Sequence, residues 1–170
     1  IMRLAPVALY FHPDAEAVDH NSAESSRTTH GAAEAVAASR ILGGILNGAL
    51  SGLAKADLPL AVPAADWMSP RLKEIAEGGY RGKGASDIRG TGYAVDSLEA
   101  ALWSFWSTET FEEAVLKAAN LGDDADTTAA VCGQVAGAHH GAAGIPGGWL
   151  EKLWERDAIS DLAVRLISRG

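Results

Sequence analysis

Five oxygen-bearing side chains crowd into six consecutive residues of this chain. They are Asp123, Asp124, Asp126, Thr127 and Thr128. No Lys or Arg occurs between residues 118 and 151 to neutralise the three aspartates. Like charges this close repel one another, and a bound cation relieves that repulsion. Carboxylate and hydroxyl oxygens are hard ligands that suit Mg²⁺, Mn²⁺ or Ca²⁺ better than Zn²⁺. The stretch therefore predicts a metal site at the start of the small-residue helix predicted over 129–138.

Two other interpretations of this acidic stretch are open. Asp126 or Thr127 could simply cap the following helix, without any metal. The D-x-D-T sequence pattern also resembles the nucleophile motif of haloacid-dehalogenase-type phosphatases. In those enzymes the first aspartate follows a buried β-strand, whereas residues 114–120 have the pattern of a helix that ends at Gly122. The phosphatase interpretation is therefore the weaker one.

The rest of the chain predicts helices that would position the acidic stretch. Apolar residues recur at helical spacing in a long segment, 31–53, and again in 94–106. Thr110 and Glu113 have the spacing of a capping box at the start of the next helix. Further helices are predicted over 71–77, 149–154 and 159–167. No segment alternates with a period of two, so the sequence predicts an all-α fold whose helices pack at large angles through small residues.

Three segments interrupt this helical pattern. Residues 25–30 are polar, and residues 55–70 contain three prolines. Residues 78–92 are too rich in glycine for a regular element. A loop of that length is often functional, so this glycine-rich loop is a second candidate part of the site.

Composition bounds the class of protein and its partners. A chain of 170 residues is long enough for one domain with a sizeable core. Its 14 basic and 22 acidic residues give a formal charge of −8, which disfavours nucleic acid or an anionic membrane as partner. No apolar run approaches the ~20 residues of a transmembrane helix. The single cysteine, Cys132, cannot form an internal disulfide, so we expect a reducing compartment, the cytoplasm.

Several separate parts of the chain resemble motifs of the ADP-ribosylglycohydrolase family. The metal loop of that family, G-x-D-x-D-T, stands here at residues 122–127, and its S-R-x-T-H segment stands at 26–30. Its G-x-G-Y-x-V-x-[ST]-L-x-A-A-L-W segment matches residues 90–103. Its A-G-A-x-x-G and I-P-x-x-W segments follow at 136–141 and 145–149. Because the order is that of the family and nearly the whole chain is covered, the chain is identified as a member.

The resemblance implies a fold, a reaction and a set of site residues. The fold would be the orthogonal helical bundle of that family. The reaction would be the Mg²⁺-dependent hydrolysis of an N- or O-glycosidic bond to ADP-ribose, on a modified protein or a small molecule. Two Mg²⁺ ions are implied, with Mn²⁺ as a substitute. The implied metal ligands are Asp124, Asp126 and Thr127, and the implied substrate-binding residues are His30, Gly90, Gly92 and Tyr93. A non-catalytic crystallin-like or ADP-ribose-binding relative is the alternative.

The chain also departs from the family pattern. The N-terminal half of family members carries G-D-x-x-G and T-D-D-T segments, and neither occurs here. The family motif G-N-G-S-[IL]-M-R ends as this chain begins, at residues 1–3. We therefore expect residues 1–170 to be the C-terminal portion of a single domain whose N-terminal half is its partner and supplies the proton-handling carboxylate. We also expect an exposed apolar patch beside the acidic stretch, built from Leu4, Val7, Leu9 and the helix over 31–53.

Overall fold

The computed structural model describes residues 1–62 and 65–169, and over these residues the chain forms nine α-helices. They are α1 (Ala5–Phe11), α2 (Ala15–Arg27), α3 (Ala33–Leu50), α4 (Pro70–Ala76), α5 (Ala94–Trp106), α6 (Phe111–Ala119), α7 (Ala125–His140), α8 (Gly147–Leu150) and α9 (Arg156–Ile167). Short 3₁₀ helices cover Lys55–Ala61, Gly79–Gly82, Ala85–Asp87 and Ala142–Gly144. The described residues contain no β-strand, which confirms the all-α prediction. None of their helices has the length and apolar character needed to cross a membrane.

Local sequence explains where several helices begin. The Asp14 carboxylate accepts a hydrogen bond from the Ala17 N–H at 3.0 Å, which caps α2. The Thr110 hydroxyl accepts from the Glu113 N–H at 3.2 Å. The Glu113 carboxylate in turn accepts from the Thr110 N–H at 3.1 Å, so the predicted capping box at the start of α6 is confirmed.

Several helix boundaries differ from the prediction: α8 covers Gly147–Leu150 rather than 149–154, and α9 begins at Arg156 rather than at 159. Helix α2 continues to Arg27, which forms an i,i+3 ion pair with Glu24, so the polar interruption is shorter than residues 25–30. Helix α7 begins at Ala125, four residues earlier than predicted. Both the N–H and the hydroxyl of Thr128 donate to the Asp124 carbonyl at 3.1 Å, which draws the threonines into its first turns.

Helix α3 lies at the centre of the core. It packs against α1, α2, α5 and α7 and is buried on nearly all sides. The largest fully buried side chains on α3 and these four neighbours include Ile41, Leu42, Ile45, Leu46, Leu98, Leu102 and Val131. A Cβ at Gly43 would lie 2.3 Å from the Ser22 hydroxyl oxygen, so α2 and α3 meet closely because this position has no side chain.

The expected apolar patch is not where the sequence places it. Leu4 is 2% exposed and Val7 packs against the core, while α3 is itself the core. This part of the expectation is wrong because the first residues fold back onto α7. Half of the large exposed apolar side chains of the described residues lie after α8 and on α9 instead. Those in this region are Leu153, Trp154, Ile159, Leu162, Val164 and Ile167.

Candidate functional site

The acidic loop, residues 122–128, turns sharply between α6 and α7. Gly122 has φ 78° and Asp123 has φ 55°, a left-handed conformation that glycine and aspartate tolerate better than most residues. These two residues redirect the chain so that Asp124 occupies the N-cap position of α7. The capping interpretation, which named Asp126 or Thr127, is therefore wrong about the residue. Asp124, Asp126 and Thr127 all lie at the N-terminal end of α7.

The electrostatics of the acidic loop favour a cation. The neighbouring side chains of Asp126 and Thr127 hold the pKa of the Asp124 carboxyl below its usual range, so this group is ionised at neutral pH. No Lys or Arg within the described residues forms a salt bridge with an aspartate of this loop. The helix N-terminus offsets part of the negative charge and leaves the rest unpaired.

The donor set of the acidic loop fits Mg²⁺ in kind but is short in number. Asp124, Asp126 and Thr127 offer two carboxylates and one hydroxyl, the hard oxygen donors that Mg²⁺ or Mn²⁺ prefers. Mg²⁺ takes six ligands in octahedral geometry. No group of three or more His, Cys, Asp or Glu side chains in residues 1–62 and 65–169 could hold a metal ion by itself. A cation bound here would therefore need additional oxygen ligands from water or substrate, or from further protein groups.

The glycine-rich loop reaches the acidic loop through Gly90 and Gly92. The Asp124 N–H donates to the Gly90 carbonyl at 2.8 Å. A Cβ at Gly90 would lie 3.1 Å from the Gly122 carbonyl oxygen, and a Cβ at Gly92 would lie 2.4 Å from Asp124 Oδ2. The two glycines thus permit a close approach between the loops, and the structure brings these two predicted residues directly against Asp124.

Tyr93 follows these glycines and stands at the surface beside α3. Its side chain is 45% exposed, and its hydroxyl donates to the carboxylate of Glu34 in the first turn of α3. This hydrogen bond raises the pKa of Tyr93, so the phenol stays neutral at physiological pH. Glu34 is not apparent as a site residue from the sequence, where its only signal is that of an acidic residue near a helix start.

His30 lies in the turn between α2 and α3. Its ring Nδ1 is 2.9 Å from the Thr29 hydroxyl, and its carbonyl accepts from the Ser26 hydroxyl at 2.9 Å. Its side chain is exposed, so His30 is not a buried core residue. The structure links His30 to the acidic loop only indirectly, through the first residues of the chain.

Residues 1–4 form a bridge that sequence reasoning did not find. Arg3 donates to the hydroxyls of Thr28 and Thr29 at 2.8 and 3.3 Å, which ties the bridge to the turn that holds His30. At its other side, the Thr127 hydroxyl lies 3.5 Å from the sulfur of Met2. The turn carrying His30 and the acidic loop therefore flank one short segment of chain.

Gln134 of α7 holds this bridge in place. Its side-chain amide donates to the Met2 carbonyl at 2.9 Å and to the Ile1 carbonyl at 3.1 Å. Its side-chain oxygen accepts from the Ala5 N–H at 2.7 Å, at the start of α1. The Gln134 side chain thus forms hydrogen bonds with three backbone groups of residues 1–5. These bonds fix Met2 over the N-terminal end of α7.

Cys132 has no place in this site as a nucleophile. Its side chain is fully buried in α7, and its thiol donates to the Ala114 carbonyl at 3.4 Å. Burial raises the pKa of the thiol to about 12, so the reactive thiolate is essentially absent at neutral pH. Cys132 is therefore a packing residue between α6 and α7.

The chain is similar to known proteins over its full length. The sequence model described as ADP-ribosylglycohydrolase matches residues 1–170. The chain is 41% identical over 168 residues to the ADP-ribosylarginine hydrolase Tri1 of Serratia proteamaculans, a match that covers 98% of this chain and 45% of that protein. It is 42% identical over 170 residues to the protein of the same name in Pseudomonas putida, which covers 100% of this chain and 45% of that protein.

A solved structure agrees with these matches. It is described as an ADP-ribosylglycohydrolase-related protein complex, and it superposes with a TM-score of 0.88 at 40% identity. The superposition covers 98% of this chain and 58% of that chain. This chain therefore spans about half the length of the relatives it matches. With a family model matched from its first residue to its last, the chain belongs to the ADP-ribosylglycohydrolase family.

Proposed function

We propose that this chain contributes half of the active site of a hydrolase that removes ADP-ribose from modified arginine side chains. The observation that carries the proposal is the contact between the glycine-rich loop and the acidic loop at Gly90, Gly92 and Asp124. It sets a candidate diphosphate-binding backbone beside candidate metal ligands, next to the exposed ring of Tyr93. Arginine as the modified residue is favoured because two relatives that are 41% and 42% identical are named ADP-ribosylarginine hydrolases.

Each predicted site residue has a role in this proposal. Asp124, Asp126 and Thr127 would hold Mg²⁺ or Mn²⁺ with their oxygens, in a site of two ions. The bound cations would supply positive charge that grips the ribose diol and orients a water. Gly92 lets the substrate approach the backbone closely, and the ring of Tyr93 offers a face on which the adenine can stack. His30 would contact the bound ADP-ribose from the turn after α2.

The bond that breaks joins the anomeric carbon of the ribose to a guanidine nitrogen. Its cleavage develops oxocarbenium character, which nearby carboxylates stabilise. A proton must also reach the leaving guanidine, and a general acid–base carboxylate is suited to that task. We propose that this carboxylate, together with the remaining metal ligands, belongs to the N-terminal half of the protein. The single buried cysteine is compatible with action in the cytoplasm.

The test is a hydrolysis assay on the full-length protein with an ADP-ribosylated arginine peptide. Activity should require Mg²⁺ or Mn²⁺ and disappear with a chelator. Asp124→Ala and Asp126→Ala should each lower kcat/KM by more than the roughly 10–100-fold typical of residues that only support metal ligands. Asp123→Gly is the matched control, because it removes a carboxylate from the same loop at a residue with positive φ. This control should retain activity and metal affinity.

The outcomes separate the proposed function from its alternatives. Full activity of both alanine variants at saturating Mg²⁺ would remove the metal assignment. Tight ADP-ribose binding by the wild type without turnover of any ADP-ribosyl substrate would favour the non-catalytic relative. Turnover of p-nitrophenyl phosphate would favour the phosphatase. The fold argues against that enzyme, because Asp124 follows helix α6 and the described residues contain no β-strand.

A further inference from the structure

Two carboxylates on the first turns of α5 are buried beneath the glycine-rich loop. Asp96 is 8% exposed and Glu99 is 3% exposed. Burying ionised groups is costly unless they are paired and hydrogen-bonded. Because the two residues lie three positions apart on one helix face, their negative charges also repel each other. Such an arrangement needs cations from outside the helix.

Two basic side chains from different elements supply these cations. Arg71 of α4 places Nη2 2.6 Å from Asp96 Oδ1 and 2.9 Å from Glu99 Oε2. Lys83 of the glycine-rich loop places Nζ 2.6 Å from Glu99 Oε1, and also 3.0 Å from Glu74. Both cations therefore neutralise Glu99, but Arg71 alone of the two pairs with Asp96.

The second oxygen of Asp96 holds Thr91, the residue between Gly90 and Gly92. The Thr91 hydroxyl donates to Asp96 Oδ2 at 2.8 Å and accepts from the Tyr93 N–H at 3.2 Å. The Thr91 carbonyl accepts from the Ser97 hydroxyl at 2.6 Å. Thr91 is thus fixed by three hydrogen bonds, two to residues of α5 and one to Tyr93, the residue before α5.

We infer that Arg71, acting through Asp96 and Thr91, is a positioning residue for this site. By orienting Asp96 it fixes Thr91, and Thr91 sets where Gly92 meets Asp124 and where the Tyr93 ring stands. Arg71 lies on α4, far from the acidic loop in sequence, and it has this role without contacting the substrate. The inference rests on the proposed function, because its consequence is measured as binding of ADP-ribose and of Mn²⁺.

Thr91 variants test the relay with little change in shape. Thr91→Val keeps the volume and removes the hydroxyl, whereas Thr91→Ser keeps the hydroxyl. On the full-length protein, we expect Thr91→Val to weaken ADP-ribose binding in calorimetry and Mn²⁺ binding in a paramagnetic resonance titration, each by about tenfold. Thr91→Ser should restore both affinities, a rescue that a purely structural role of the threonine methyl would not produce.

Arg71 and Lys83 form a matched pair for the start of the relay. Arg71→Met and Lys83→Met each remove one cation from Glu99, so both should lower Tm. Arg71→Met should weaken ADP-ribose and Mn²⁺ binding more than Lys83→Met does. If Arg71→Met does not fold, the Thr91 pair decides the question alone.

The failures can be told apart. A wild type that binds neither ADP-ribose nor Mn²⁺ overturns the proposed function and this inference with it. A wild type that binds both, together with unchanged affinities in Thr91→Val, overturns the positioning role alone. Equal losses of affinity in Arg71→Met and Lys83→Met would likewise overturn it, because Lys83 does not reach Asp96.

Discussion

At the scale of single residues, Tyr93 offers a test of how the nucleobase is held. Its ring is 45% exposed while its hydroxyl is fixed by Glu34, so the face of the ring is available for stacking. Base–aromatic stacking is worth about 1–3 kcal/mol, so Tyr93→Ala should weaken ADP-ribose binding roughly tenfold or more in calorimetry. Tyr93→Phe keeps the ring and should weaken binding far less.

Two results would contradict this view of Tyr93. Equal affinities of the wild type and Tyr93→Ala would exclude a stacking contact. A loss in Tyr93→Phe as large as that in Tyr93→Ala would show that the hydrogen bond to Glu34, rather than the ring, controls affinity.

Some site residues can be predicted from sequence, and others cannot. Asp124 and Asp126 stand out because their crowding and the lack of nearby basic residues are local properties of the chain. The roles of Glu34 and Met2 are not visible locally, since their partners lie 59 and 125 residues away. Arg71 is invisible for the same reason, because only the fold places α4 against the start of α5.

At the scale of structural elements, the contact between the two loops depends on the missing side chain of Gly92. A Cβ there would lie 2.4 Å from Asp124 Oδ2, so Gly92→Ala must displace that carboxylate. We expect weaker Mn²⁺ binding in a metal titration, with helical content unchanged. Gly82→Ala is the matched control, since a Cβ at Gly82 in the same glycine-rich loop meets nothing within 4 Å.

If Gly92→Ala and Gly82→Ala bind Mn²⁺ equally well, the position of the Asp124 carboxylate does not matter for metal binding. In that case the tight contact between the loops serves packing.

The helices were largely predictable because their signals are local. The apolar stripe over 94–106 and the capping box at Thr110 predict α5 and α6 closely. The sequence predicts the start of α7 too late because threonines lower helix propensity, whereas the N–H and the hydroxyl of Thr128 both donate to the Asp124 carbonyl and extend the helix back to Ala125. The predicted connection over 55–70 contains a 3₁₀ helix, Lys55–Ala61, and its residues 63 and 64 lie outside the described residues.

At the scale of the whole molecule, the family resemblance predicted the class of fold, but the exposed apolar surface was misplaced. In sequence, Leu4, Val7 and α3 resemble any other apolar segment. Hydrophobicity alone does not show which apolar segments are covered by other parts of the fold. The fold buries Leu4 because Gln134 holds the first residues against α7 across more than 130 positions. Helix α9 has an apolar face of similar composition, yet among the described residues it packs chiefly against α1.

This difference in burial predicts very different costs for the same substitution. Leu42 on α3 is 0% exposed and Leu162 on α9 is 53% exposed. Leu42→Ala should lower the free energy of unfolding of the 170-residue chain by about 2–5 kcal/mol, because it opens a cavity in a packed core. Leu162→Ala should change it by about 0.5 kcal/mol or less, since its side chain is largely in water already. Urea denaturation of both variants measures the two costs with the same chemical change. A large cost at Leu162 would mean that this face of α9 is covered when the chain is folded in solution, and the burial pattern described for α9 would then be wrong.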